Sequence, residues 1–294
     1  MKIARNGHVL GIKHDFKTLK STKGILQLGK ISVNKISVFP GFCSVHDSSI
    51  FKPLESYDFI PTQQQCVLLS YRALARERHA KEAAIGINHF LKTADRGRPL
   101  SYQVPLQRIL SNYELGLSLA KNDLDNALKE HKKSIISGEY SQFESLAIKF
   151  THFPILCSTG HFPSDDWSGK IIQDLTNPSL KADWLTAASL ISKDAAWVTF
   201  TWLKSSEKIR NFVESLLDNQ GKQISDALVK YFFSISENIA VDESWWADLN
   251  TKQKEELNLR IRDGLPIIGG VNKIAPRPGE QRTLDTPEID IIRL

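Results

Sequence analysis

The 294-residue sequence has only three cysteines, Cys43, Cys66 and Cys157, in a chain long enough to build a conventional core. A disulfide framework is therefore excluded as the basis of the fold, and we expect reduced thiols. The sequence also lacks an uninterrupted run of 18 or more apolar residues, and Lys2 and Arg5 precede no apolar segment of the kind found in signal peptides. We therefore expect neither a membrane span nor a secretory signal, and we predict a cytoplasmic protein that does not engage a membrane.

Four common catalytic signatures are missing as well. The sequence contains no Gly-x4-Gly-Lys-Ser/Thr loop, no Gly-x-Gly-x-x-Gly, no His-Glu-x-x-His and no Gly-x-Ser-x-Gly. Nucleotide hydrolysis, dinucleotide use, zinc proteolysis and α/β-hydrolase chemistry thus lack their usual motifs. No complete catalytic motif remains in the sequence.

Charge and tryptophan are distributed unevenly along the chain. Residues 1–100 hold 16 Lys and Arg against 7 Asp and Glu, a net charge of +9, whereas residues 101–294 have a net charge of −4. All six tryptophans lie beyond residue 166. The chain therefore combines a basic N-terminal part with an acidic, tryptophan-rich body.

Hydrophobic periodicity predicts the α+β class. Short apolar runs between Gly and Asn turns in residues 8–40 indicate a small β unit. Apolar residues at helical spacing predict a helix of about 30 residues after Pro61 and a second from Pro105 to Gly138, packed antiparallel. Strands are then predicted within residues 144–203, followed by helices, the last of which runs from the Trp245 region to Gly264. We predict four segments: a basic β-rich region at 1–60, a helical hairpin at 61–140, a Trp-rich α+β domain at 141–263 and an extended tail at 264–294.

Cys43 and His46 have the spacing of a metal-ligand pair. They lie in the segment Gly-Phe-Cys-Ser-Val-His-Asp, residues 41–47, where Gly41 supplies a turn and Ser48 could start a short helix. A structural zinc site needs four ligands, so this pair is half of one. The alternative interpretation is that both residues serve packing.

This segment resembles the second knuckle of treble-clef and HNH-type zinc modules. Together with residues 6–9, 39–55, 175–177 and 237–249, it resembles a family of uncharacterised bacterial proteins. The resemblance implies that zinc would be bound if a Cys-x-x-Cys and a Ser-His element preceded residue 1. In such modules a histidine activates water beside a bound cation. Because the first histidine of that pattern is not identifiable here, we predict no independent nuclease activity; any enzyme activity would be metal-dependent and nuclease-like.

Six lysines in the first segment form a candidate phosphate-binding set: Lys13, Lys17, Lys20, Lys23, Lys30 and Lys35. Lysines can neutralise phosphates, but they also occur on exposed strand edges, where they discourage aggregation. Both interpretations stay open.

Two further constellations have a functional and a structural interpretation. Trp245 and Trp246 follow an acidic helix start and would either anchor the core or offer a platform for a partner. Cys157, with His152 and His161 nearby, would act as a nucleophile only if a turn brought His161 back over the thiol. Buried packing is the alternative for both sets.

These observations leave two principal functional hypotheses. The first is a nucleic-acid-associated bacterial protein with an incomplete HNH or zinc-knuckle module. The second is a non-enzymatic interaction protein that docks a protein partner through its Trp-rich C-terminal domain.

Overall fold

The computed structural model describes residues 3–13, 26–175, 177, 180–193, 195–218, 224–236, 238–264 and 274–294. Within these residues the helices are α1 (Ser44–Ile50), α2 (Lys52–Glu55), α3 (Gln63–Leu91), α4 (Leu100–Ser137), α5 (Glu207–Leu217), α6 (Ile224–Ile235), α7 (Glu243–Asp248) and α8 (Thr251–Asp263). The strands are β1 (His8–Ile12), β2 (Leu28–Ser32), β3 (Phe143–Phe150), β4 (Ile155–His161), β5 (Leu185–Ser192), β6 (Ala195–Leu203), β7 (Ile239–Val241) and β8 (Glu288–Arg293). The predicted α+β class is confirmed.

The eight strands form one sheet in the order β2-β1-β7-β4-β5-β6-β3-β8. Every neighbouring pair is antiparallel. The predicted N-terminal β unit lies at one end of this sheet, and β8, from the predicted tail, lies at the other. Strand pairing therefore connects the first, third and fourth of the predicted segments.

The predicted helical hairpin consists of α3 and α4. Thr62 caps α3 by accepting a hydrogen bond from the backbone N–H of Gln65, and α4 ends at Gly138, whose φ of 75° suits glycine. α4 begins at Leu100, five residues before the predicted start, so that Pro105 lies inside its first turns. None of the described helices is long and apolar enough to span a membrane.

The sheet packs helices on both faces. On one face Phe200 packs against Tyr231 of α6, which also contacts Phe212 of α5, in the largest apolar cluster of the described residues. On the opposite face α3 lies across β3, β4, β5 and β6. Burial of these two faces is the main favourable contribution to folding.

The predicted last helix is divided in two. α7 ends at Asp248, and α8 starts after Asn250, whose side chain accepts from the backbone N–H of Gln253 while the Gln253 side chain accepts from the N–H of Asn250. This reciprocal capping box defines a new helix start. The periodicity alone did not reveal the break, whereas the end at Gly264 agrees with the prediction.

A buried ion pair holds the C-terminal segment to α6 and α8. The Arg260 guanidinium is fully buried and donates to the Glu280 carboxylate at 2.7 and 2.5 Å and to the Ser234 hydroxyl at 3.0 Å. Burial raises the pKa of Glu280, but the hydrogen bonds from Arg260 and the Arg277 N–H outweigh it and leave that pKa below its usual value. The carboxylate is therefore charged at neutral pH.

Removing the Glu280 charge should deprive the buried Arg260 guanidinium of the carboxylate that it binds with two hydrogen bonds. We expect Glu280→Gln to lower the free energy of unfolding by roughly 3 kcal/mol, measured by urea denaturation. The matched control is Glu214→Gln, which removes the partner of Arg293 from an exposed pair and should cost less than about 1 kcal/mol. Equal losses in the two variants would contradict the structural role assigned to this pair.

Candidate functional site

Cys43 and His46 lie together on the surface, at the start of α1. Cys43 is the residue before the helix, and its Sγ lies 3.2 Å from Nδ1 of His46. Phe42 and Phe51, on either side of this pair, pack against Tyr71 of α3 and fix the short helix to the hairpin. The predicted pairing of the two side chains is thus present as a contact.

The described residues do not complete a zinc site around this pair. Among them, no group of three or more His, Cys, Asp and Glu side chains has an arrangement that could hold a metal ion. Tetrahedral zinc needs four ligands, and these residues supply two. The chemistry of the donors suits zinc, whereas their number does not, so the metal site stays a prediction.

Three of the six predicted lysines lie in the described residues. Lys13 follows β1, Lys30 lies on β2, and Lys35 lies in the turn after β2. Lys30 forms an ion pair with Glu243 of α7 at 2.6 Å. Lys17, Lys20 and Lys23 lie outside the described residues.

The β1–β2 ribbon is shaped by two glycines. A Cβ on Gly11 would lie 2.7 Å from the Ile36 side chain, so glycine here lets the turn after β2 pack onto the ribbon. A Cβ on Gly29 would lie 2.5 Å from the Lys13 side chain. The aliphatic part of Lys13 therefore crosses β2 over Gly29. Neither this position of Lys13 over Gly29 nor a role for Arg5 could be read from local sequence patterns; only the net charge of the segment pointed to Arg5.

Trp245 and Trp246 are half-buried and contact neighbouring residues. The Trp246 ring stacks on Phe233 of α6, with an interplanar angle of 6°. Trp245 Nε1 donates to the backbone carbonyl of Thr283 at 3.1 Å. These contacts join α7 to α6 and to the C-terminal segment, which is the anchoring interpretation; partner binding by these rings stays untested.

The arrangement of β4 does not favour a thiol nucleophile. Cys157 and His161 lie on the same strand, about 13 Å apart along the backbone, so no turn brings the imidazole back over the thiol. Burial raises the pKa of Cys157 to about 12 and lowers the pKa of His161 to about 3. Both groups are therefore neutral at pH 7, and the thiolate is scarce.

A Ser–His pair lies between the hairpin and the sheet. The Ser70 hydroxyl of α3 lies 2.7 Å from Nε2 of His131, and His131 Nδ1 donates to the Ala127 carbonyl at 2.8 Å. Since a carbonyl only accepts, Nδ1 carries the proton and Nε2 accepts from Ser70. The Thr186 hydroxyl of β5 donates to Ser70 at 2.9 Å.

This pair has the hydrogen-bond order of a serine nucleophile and its base, but it is closed to substrate. His131 is fully buried, and Ser70 and Thr186 are 2% and 3% exposed. Burial lowers the pKa of His131 to about 4. The arrangement therefore serves to satisfy polar groups where α3 and α4 meet the sheet.

The comparisons with known proteins found no matching family model, no matching curated protein and no matching solved structure.

His131 should make the stability of the protein depend on pH below 7. The folded pKa of about 4 lies below the ordinary value of 6.5, so the unfolded chain takes up a proton that the folded chain excludes. The contribution of neutral His131 to the free energy of unfolding is fully present above pH 6.5. It falls by roughly 3 kcal/mol as the pH drops to 4.

Urea unfolding between pH 7 and 4 tests this expectation. His131→Gln should be less stable at pH 7 and should lose less stability on acidification than the unmodified chain. Identical pH profiles for the two proteins would contradict the buried, neutral state of His131.

Proposed function

We propose that this protein associates with nucleic acid through the basic ribbon, defined as β1, β2 and the flanking residues 3–7, 13 and 33–41. The observation that carries the proposal is the charge of this element. Its described residues include Arg5, Lys13, Lys30 and Lys35, and the first carboxylate among the described residues is that of Asp47. Residues 1–41 as a whole contain eight Lys and Arg and one acidic residue, Asp15.

The fold accounts for only part of this positive charge. β2 is a terminal strand of the sheet, and lysine on such an edge discourages pairing with other chains. Lys30 fits that role and is also neutralised by Glu243. Lys13 and Lys35 form no ion pair with another described residue, so their charges are available to an anionic partner.

A polyanion with regularly spaced charges is the partner that this element suits. β2 is at the end of the sheet, so its outer edge and the loops beside it can approach a phosphate backbone, and lysine contacts to phosphate need no base sequence. We therefore propose binding to the phosphate backbone with little sequence preference. The proposal stops at binding, because no complete catalytic motif is present in the sequence.

The alternative is docking of a protein partner on the C-terminal domain. Trp245 and Trp246 would have to serve it with the parts of their rings that α6 and Thr283 leave uncovered. Their engagement in the fold makes the basic ribbon the better-supported surface.

The ribbon cations should govern binding to a defined duplex. With a 30-base-pair DNA, we expect Arg5, Lys13 and Lys35 changed together to glutamine to weaken binding at least about tenfold at 50 mM salt. If each of these cations meets one phosphate, the log–log salt dependence should become shallower by about 2.7, which is 0.9 per lost contact.

The control carries the same change in net charge elsewhere. Lys132, Lys204 and Lys208 are all exposed, and their joint change to glutamine should leave the affinity within about twofold. Equal weakening by both triple variants would show that only the net charge of the protein matters and not the ribbon, which would contradict the proposal. An affinity for DNA that does not depend on salt would contradict it as well.

A further inference from the structure

The helical hairpin extends beyond the sheet. The backbone of Gly160 on β4 lies under the side chains of Leu74 and Glu77, and α3 then continues to Leu91. Fourteen further residues correspond to about 21 Å of helix. We call residues 78–119 the distal hairpin.

The two helices of the distal hairpin are joined by a well-defined inner seam. Asn88 Nδ2 donates to the Leu110 carbonyl at 3.1 Å, and Lys92 and His89 both hold the Glu114 carboxylate. Leu110 and Leu117 are buried between the helices. Facing positions therefore recur at intervals of three and four residues, as in a coiled coil.

A second seam runs beside the first and is apolar. Its members come one residue before those of the inner seam, as Ile87 precedes Asn88 and Ile109 precedes Leu110. The row consists of Ala80, Ala84, Ile87 and Leu91 on α3 and of Tyr102, Leu106, Ile109 and Tyr113 on α4. Because the helices are antiparallel, the same angular offset places both rows on one side of the hairpin. We call these eight residues the second seam.

Four members of the second seam are exposed to a degree unusual for large apolar side chains. The exposed fractions are 61% for Ile87, 42% for Leu91, 55% for Tyr102 and 57% for Ile109. A contiguous apolar face of this kind marks an interaction surface.

The spacing of the second seam indicates that its occupant is helical. Intervals of four, three and four residues place side chains in rows that interdigitate with another helix. Since two antiparallel helices contribute rows, two further helices are needed to cover the face. A second copy of the same hairpin supplies two antiparallel helices of matching length.

Charge favours one orientation of that second copy. In residues 87–109 the exposed arginines are Arg96, Arg98 and Arg108, and the only acidic residue, Asp95, is 5% exposed. Two tips side by side would repel each other. An antiparallel two-fold arrangement instead separates the two tips and places the tip arginines of one copy beside Glu82 of the other, an exposed carboxylate that also pairs with Arg78 of its own chain at 2.9 Å.

We propose that two copies of the chain associate through the second seam to form an antiparallel four-helix bundle. The two hairpins would overlap over about 24 Å along the helices and about 20 Å across them. This overlap covers about 1,000 Å² when both copies are counted, which is at the lower limit for specific interfaces. The dimer is therefore reversible, with a dissociation constant in the micromolar range. This proposal is independent of nucleic-acid binding by the basic ribbon.

Sedimentation equilibrium of the full chain between about 1 and 200 µM tests the proposal. We expect the mass to rise from 33.2 kDa towards twice that value. Ile87→Lys combined with Ile109→Lys should raise the dissociation constant at least about tenfold. At about 1 µM, where the chain is monomeric, the circular dichroism and the unfolding midpoint should stay unchanged because both side chains are exposed. The control Ile136→Lys changes an 86% exposed residue of α4 outside the second seam and should leave association intact.

Three results would overturn the proposal. The first is a chain that stays at 33.2 kDa at 200 µM in 50 mM salt. The second is a dimer that the double variant does not weaken. The third is a monomer that binds vesicles of anionic lipid through Ile87 and Ile109, which would assign the second seam to a lipid surface.

Charge reversal tests the orientation of the two copies. Changing Arg96 and Arg98 to glutamate should weaken the dimer, and adding Glu82→Arg should restore it.

Discussion

The position of α3 across the sheet depends on a row of buried hydrogen bonds. Thr186 on β5 binds Ser70, and Thr201 on β6 lies 3.0 Å from Ser145 and donates to the Cys66 carbonyl. Each such bond contributes about 1 kcal/mol, and an unpaired buried hydroxyl would cost about 1 to 3 kcal/mol. Apolar packing alone would tolerate several orientations of the helix, whereas these bonds favour a single register and direction. That direction carries the hairpin past β4 and leaves its distal half without support from the sheet.

The sheet connects regions of opposite charge. Its N-terminal end is the basic ribbon, whereas the C-terminal segment is held by the pair of Arg260 with Glu280 and by Asp226, which accepts from Thr283 and pairs with Lys230. The internal ion pairs neutralise charge within the acidic body, while the ribbon keeps most of its own cations. The net charge of +5 therefore understates how strongly one surface of the protein can attract an anion.

The sequence predicted elements that rest on local patterns. The α+β class, the two long antiparallel helices and the helix ends at Gly138 and Gly264 follow from periodicity and from glycine. β7 and β8 were missed because they are short or exposed and depend on pairing with distant strands.

The candidate site was less predictable than the fold. The spacing of Cys43 and His46 indicated their contact, and composition indicated the basic ribbon. By contrast, Ser70 and His131 are 61 residues apart, and only the fold brings them together. The second seam lies one residue beside the inner seam, so its periodicity resembles that of an ordinary core face.

Native-state hydrogen exchange of dilute protein tests the central claim most directly. Amides of α3 in residues 66–77 should exchange only by global unfolding, with the free energy of β5 and β6, whereas those in residues 84–91 should exchange through a cheaper partial opening. Uniform protection of the amides along α3 would contradict the claim. In that case the buried hydrogen bonds of Thr186 and Thr201 would not anchor one half of the hairpin more firmly than the other.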